Sequence, residues 1–143
     1  MVEIADVRRR VRQRIEDARR RAAERRVEVD AAERDFARFL TEVAGPIFRQ
    51  VAQALAAEGY HFSVNTPTGQ LRLASDRSRS DFIEIELDPQ LNPPQAIGRA
   101  TRAHGARTMT SERPLRPGVK VRELTEDDVL DFLTAEIGPF VER

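Results

Sequence analysis

Two groups of side chains in this sequence have the residue types from which a site could be built. The first is His61, Ser63, Asn65, Arg72, Glu84 and Glu86. These alternate with Tyr60, Phe62, Val64, Leu71, Leu73, Ile83 and Ile85, so they are expected to share one face of a sheet. A histidine beside a carboxylate can move protons, and such a set can also hold a divalent cation. Any antiparallel sheet with one wet face gives the same alternation without chemistry, and these residues require nothing more. The second group is Arg99, Arg102, His104 and Arg107, a basic cluster suited to phosphates or other anions. It lacks the interleaved aromatic rings on which single-stranded nucleic acids stack. Thr108, Thr110 and Ser111 lie nearby without a neighbouring base.

Other chemistry is missing from the motifs. His61 and His104 are the only histidines, and neither belongs to a metal-ligand spacing. The absence of cysteine removes thiolate catalysis, disulfides and zinc–thiolate sites. Phosphate loops, dinucleotide fingerprints and nucleophile elbows are absent. A non-enzymatic protein without cofactor or metal is therefore expected.

The elements that would position these residues follow from periodicity. From Ile4 to Leu55 apolar side chains recur every three or four residues, with Arg25 or Arg26 filling the one gap: Ile4, Val7, Val11, Ile15, Ala18, Ala22, Val29, Ala32, Phe36, Leu40, Val43, Ile47, Val51 and Leu55. That spacing predicts one long helix with a single apolar face. Pro46 cannot donate to the carbonyl of Glu42, so Gly45-Pro46 should kink or break it, with Gly59 closing the second piece. The period then changes to two. Strands are expected around Phe62 and Val64, around Leu71 and Leu73, and over Phe82–Asp88, forming a meander. Pairing Leu73 with Ile83 and Leu71 with Ile85 sets Arg72 opposite Glu84. The first hairpin would place Phe62 opposite Leu73 and Val64 opposite Leu71, with Pro67 second in its turn. Two weaker strands, about Ala96–Ala103 and Ala106–Arg113, flank His104-Gly105. In that register Arg102 faces Arg107, an unfavourable pair unless an anion lies between them. Val119-Lys120-Val121 suggests a short edge strand. A final helix opens on Thr125 with Asp128 three residues later, an Asp form of the capping box.

The fold class is thus α+β: a long kinked N-terminal helix, an antiparallel meander of four to five strands, and a C-terminal helix packed on the sheet. It divides into a coiled-coil-like arm, residues 1–44, and an α+β body, residues 45–143. Phe39-Leu40-Thr41 and Phe132-Leu133-Thr134 are each followed, after three residues, by Gly-Pro and an apolar residue. This echo suggests that the two helix ends pack together.

Basic and acidic residues balance at 24 each, so no net field steers polyanions. The balance conceals segregation. Arginines dominate from Arg8 to Arg26, acids return from Glu28 to Glu42, and acids dominate again from Glu123 onward. The arginines flank an apolar seam, as charged side chains do at the edges of coiled coils. The expected function is that of an interaction or adaptor protein self-associating, most simply as a dimer, through Val7, Val11, Ile15, Ala18, Ala22 and Val29. A further protein partner is compatible with this. One alternative is nucleic-acid binding by Arg8–Arg26 together with the hairpin Arg99–Arg107. Another is ligand, metal or enzymatic use of the polar sheet face around His61. No membrane span or signal-peptide core is visible, so a bacterial cytoplasmic protein is expected.

Overall fold

The computed structural model describes residues 1–142. Helix α1 (Ile4–Phe39) leads through a π-helical turn (Leu40–Ala44) into α2 (Gly45–Ala57). The strands are β1 (Phe62–Asn65), β2 (Gln70–Ser75), β3 (Phe82–Asp88), β4 (Gln95–His104) and β5 (Arg107–Pro114). A 3-10 turn (Val121–Glu123) precedes α3 (Glu126–Val141). The strands form one sheet in chain order, every neighbouring pair antiparallel. The α+β class and the order helix, meander, helix are as the periodicity requires. No helix among the described residues is long and apolar enough to cross a membrane.

The break expected at Gly45-Pro46 is a π turn. Pro46 has no N–H, and the turn before it widens until Gly45 N–H donates to Leu40 O. A side chain at Gly45 would place its Cβ 2.7 Å from that carbonyl, so only glycine fits. Helix α2 ends in a Schellman motif: Tyr60 N–H donates to Leu55 O at 2.9 Å and Gly59 N–H to Ala56 O at 3.0 Å. Gly59 has φ 92°, the left-handed conformation that this cap needs.

Leu71, Leu73, Ile83 and Ile85 form the apolar sheet face, buried against Phe48, Val51 and Leu55 of α2 and Val129, Phe132 and Leu133 of α3. Gly98 of β4 lies on the same face, opposite Ile85. Its missing side chain lets the Phe132 ring lie against the strand. Thr125 Oγ1 accepts from Asp128 N–H and the Asp128 carboxylate from Thr125 N–H, which completes the capping box of α3.

The β2–β3 register is the expected one, Leu71 against Ile85 and Arg72 against Glu84. Three local expectations fail. Val64 faces Leu73 rather than Leu71, and Phe62 faces Ser75. Pro67 is first, not second, in its turn: its carbonyl accepts from Gln70 N–H, and Gly69 takes the positive-φ third position. The shift keeps every side chain on its predicted face because the strand period is two. The outer hairpin turns at Gly105-Ala106, so His104 faces Arg107 and Arg102 faces Met109. Gly105, with φ 64°, occupies the first central position that a type II′ turn reserves for glycine. Val119–Val121 is no strand: Val121 opens the 3-10 turn, which α1 contacts, and is buried.

The two Gly-Pro sites of the echo do not meet, although α3 does touch the π turn. Gly45 lies near Leu87, whereas Pro139 lies near Ala100 and Arg102, at the opposite end of the sheet. Helix α3 also runs on through Pro139.

Candidate functional site

The polar sheet face is an ion ladder. Arg72, Glu84, Arg99 and Glu112 stand directly opposite one another across β2, β3, β4 and β5, so basic and acidic side chains alternate. Arg72 donates from Nε and Nη2 to Glu84 Oε2 at 3.0 and 2.7 Å. Arg99 donates from Nη1 to Glu84 Oε1 at 2.9 Å, from Nε to Glu112 Oε2 at 3.0 Å, and from Nη2 to Glu86. Gln70 donates to the other oxygen of Glu86 at 2.6 Å. Glu84 is only 3% exposed, and it tolerates burial because both oxygens take charged donors. The Arg72 guanidinium also stacks over the Phe82 ring, 4.1 Å from its centroid.

This arrangement is suited to holding a sheet together. Partial burial pushes the Glu86 carboxyl upward. The hydrogen bonds from Gln70 and Arg99 and the Arg99 charge outweigh that and leave it below its ordinary range. Burial works against the Arg99 charge, yet its bonds to Glu86, Glu84 and Glu112 hold the proton more tightly than usual. A general base needs a carboxylate moved the other way. His61 precedes β1 and lines a small cleft with Ser75, Arg77, Ser78 and Asp81, at the far end of the sheet from Glu86. The structure does not bring His61 to Glu84 or Glu86, and among the described residues the one carboxylate that shares its cleft is Asp81.

The basic cluster is likewise divided. Arg99 is committed to three carboxylates in mid-sheet, while His104 and Arg107 face each other at the exposed hairpin tip and Arg102 lies beside Met109. The Arg102–Arg107 juxtaposition that would have called for an anion does not form.

Among the described residues, nothing in the chain buries the predicted seam from Val7 to Ala22, and only Val29 is partly covered. Ile4, Val7, Val11 and Ile15 are 74, 48, 53 and 44% exposed. Ala18 and Ala22 are exposed and Val29 half-buried. Contact with the body starts near Arg21, where the Pro89–Pro94 loop lies beside α1, and Ala32, Phe36 and Phe39 enter the core. The helix from Ile4 to Arg20 therefore projects about 25 Å, at 1.5 Å per residue.

Spacing residues about 100° apart around this helix puts Arg10, Arg14, Arg21 and Arg25 along one edge of the apolar stripe. Arg8, Arg12, Arg19 and Arg26 fall along the other. The acids of the arm stand on the back, where Asp6 pairs with Arg9 at 2.6 Å and Asp17 with Arg20 at 3.1 Å. Among the described residues, no carboxylate lies within 4.0 Å of any rim arginine.

At the root of the arm is a groove of about 880 Å³ between the π turn and the β1–β2 hairpin. Phe36 and Leu40 line its helical wall, Val64, Pro67 and Leu71 the hairpin wall, and Leu87 its floor, with Glu33, Arg49 and Glu86 at polar positions. No local pattern marks this groove, because it exists only where the hairpin folds back toward the helix. No family model, curated protein or solved structure matches the chain.

Proposed function

We propose that this chain is a non-enzymatic interaction protein that self-associates through its N-terminal helix, most simply as a dimer. The observation that carries the reading is the uncovered row Ile4, Val7, Val11 and Ile15 on a helix that stands clear of its own body. Burying apolar surface returns about 25 cal/mol per Å², and a stable dimer interface needs roughly 1,200–2,000 Å² in total. Two arms laid together supply long faces of that kind. Replacing Val11 and Ile15 together with Glu tests this. The expected result is loss of the dimer mass with an unchanged β-sheet signal in circular dichroism; an unchanged mass contradicts the assignment.

The rim arginines support a second reading, in which the arm lies on nucleic-acid phosphates. Such binding weakens steeply with salt. A titration with DNA and RNA that finds no affinity at low salt removes it.

A further inference from the structure

We propose that two copies pair with their arms antiparallel, so that Ile4 and Val7 of each close over the groove at the root of the other's arm. This deepens the self-association reading and rests on it.

Charge sets the direction. A parallel pair in register would align Arg8–Arg26 with the same segment of the second copy, arginine rims against arginine rims. Like charges so placed repel. Beyond the basic segment the same helix carries Glu28, Asp30 and Glu33, all exposed and, among the described residues, without a basic partner within 4.0 Å. Turning the second arm around brings Arg8–Arg14 of each copy beside Glu28–Asp35 of the other. Unpaired bases then meet unpaired acids at both ends of the seam. Only Arg19–Arg26, near the crossing, still face their own kind, and their long stems can carry the charge outward to water.

Length and shape agree with that direction. Val7 lies as far before Ala22 as Ala37 lies after it, and α1 is α-helical throughout. Two arms crossing at Ala22 therefore set Val7 beside Ala37 and Ile4 beside Leu40 of the other copy. Ala18 and Ala22 leave little bulk at the crossing, so the axes can approach closely. Glu33 and Ala37 are exposed and line the groove with Phe36 and Leu40, which continue the stripe of Val7 and Val11 on the same face. The arm of the second copy would thus cover apolar surface that the single chain leaves open.

The chain has no cysteine, so introduced thiols report the arrangement without background. The test uses Val7→Cys, Ala37→Cys and the double variant, each treated with a short thiol-specific cross-linker and compared for molar mass. Both positions are exposed, which keeps the fold out of the result. Within one chain they are about 45 Å apart along the helix, beyond the reach of an internal link. The double variant is expected to become a covalent dimer while neither single variant does. Cross-linking of Val7→Cys alone signifies parallel arms and overturns the proposal. So does a double variant that keeps its dimer mass and does not cross-link. Monomers of every variant before cross-linking would instead defeat the self-association reading itself.

Discussion

Replacing Gly98 with Ala should be the most damaging small change in the body. An ideal Cβ there would lie 2.3 Å from both Cε1 and Cζ of Phe132 and 2.9 Å from Cε2. Carbon atoms rest about 3.5–4.0 Å apart, so ring and strand would have to separate by more than ~1 Å. Phe132 is 1% exposed and has no solvent to retreat into. Gly98 is held from both sides, opposite Ile85 of β3 and Arg113 of β5. Overpacking of this kind costs about 1–3 kcal/mol, and a clash with a confined ring belongs at the upper end. Each kcal/mol lowers the midpoint of a chain near this size by roughly 2–4 °C, so the expected drop is about 6–12 °C. Thermal unfolding followed by circular dichroism at one protein concentration measures it. Adding Phe132→Leu removes ring atoms from the contact, so the two costs should combine to less than their sum. A drop below about 2 °C, or strictly additive costs, would refute the close approach of α3 to β4.

Thr125→Ala removes the hydroxyl that accepts from Asp128 N–H and should cost about 1 kcal/mol in urea unfolding; an unshifted midpoint contradicts the cap. Glu86 carries a pH signature. Its carboxyl is held below the ordinary 4.5, so folding gains from its ionised form above that value and loses the gain as pH falls through the lower, folded value. Glu86→Gln should therefore destabilise the protein at neutral pH, with the difference from the parent shrinking as the pH is lowered through and below 4.5. A difference that stays constant down to acid unfolding would show that the ion pair with Arg99 contributes nothing.

Much of the fold was legible because it depended on strong, local patterns. The long apolar stripe, the alternation in β2 and β3, and the Thr125–Asp128 box each fix an element from side chains close in sequence. The β2–β3 register followed from matching Leu71 and Leu73 to Ile85 and Ile83. Errors arose where a register depended on turn chemistry. Pro67 can stand first or second in a turn, and Gly105 can be the first or second central residue, and either choice leaves the faces unchanged or nearly so. Val119–Val121 has the alternation of a strand, but Val121 is buried at a 3-10 turn that α1 contacts. The Gly-Pro echo shows the limit of sequence likeness: the same residues end one α segment in a π turn and lie within the last turns of α3.

The candidate site was legible in part for the same reason. Exposure of Val7, Val11 and Ile15 follows from a stripe longer than any body of this size could cover. The role of Arg99 did not follow, since it depends on the β3–β4 pairing across a Pro- and Asn-rich loop. Once Asp88 is set against Gln95, Glu84 falls opposite Arg99 and the ladder can be read directly. The groove needs three separate segments and leaves no local mark.

The molar mass of the intact chain in solution, followed by light scattering over a range of concentrations, tests the central claim most directly. A projecting arm with a bare apolar edge predicts twice the 16.2 kDa chain mass, reverting to a single chain on dilution or on introducing Val11→Glu and Ile15→Glu. A mass of 16.2 kDa at every concentration would show that the edge stays wet, and the proposed function would fall with it.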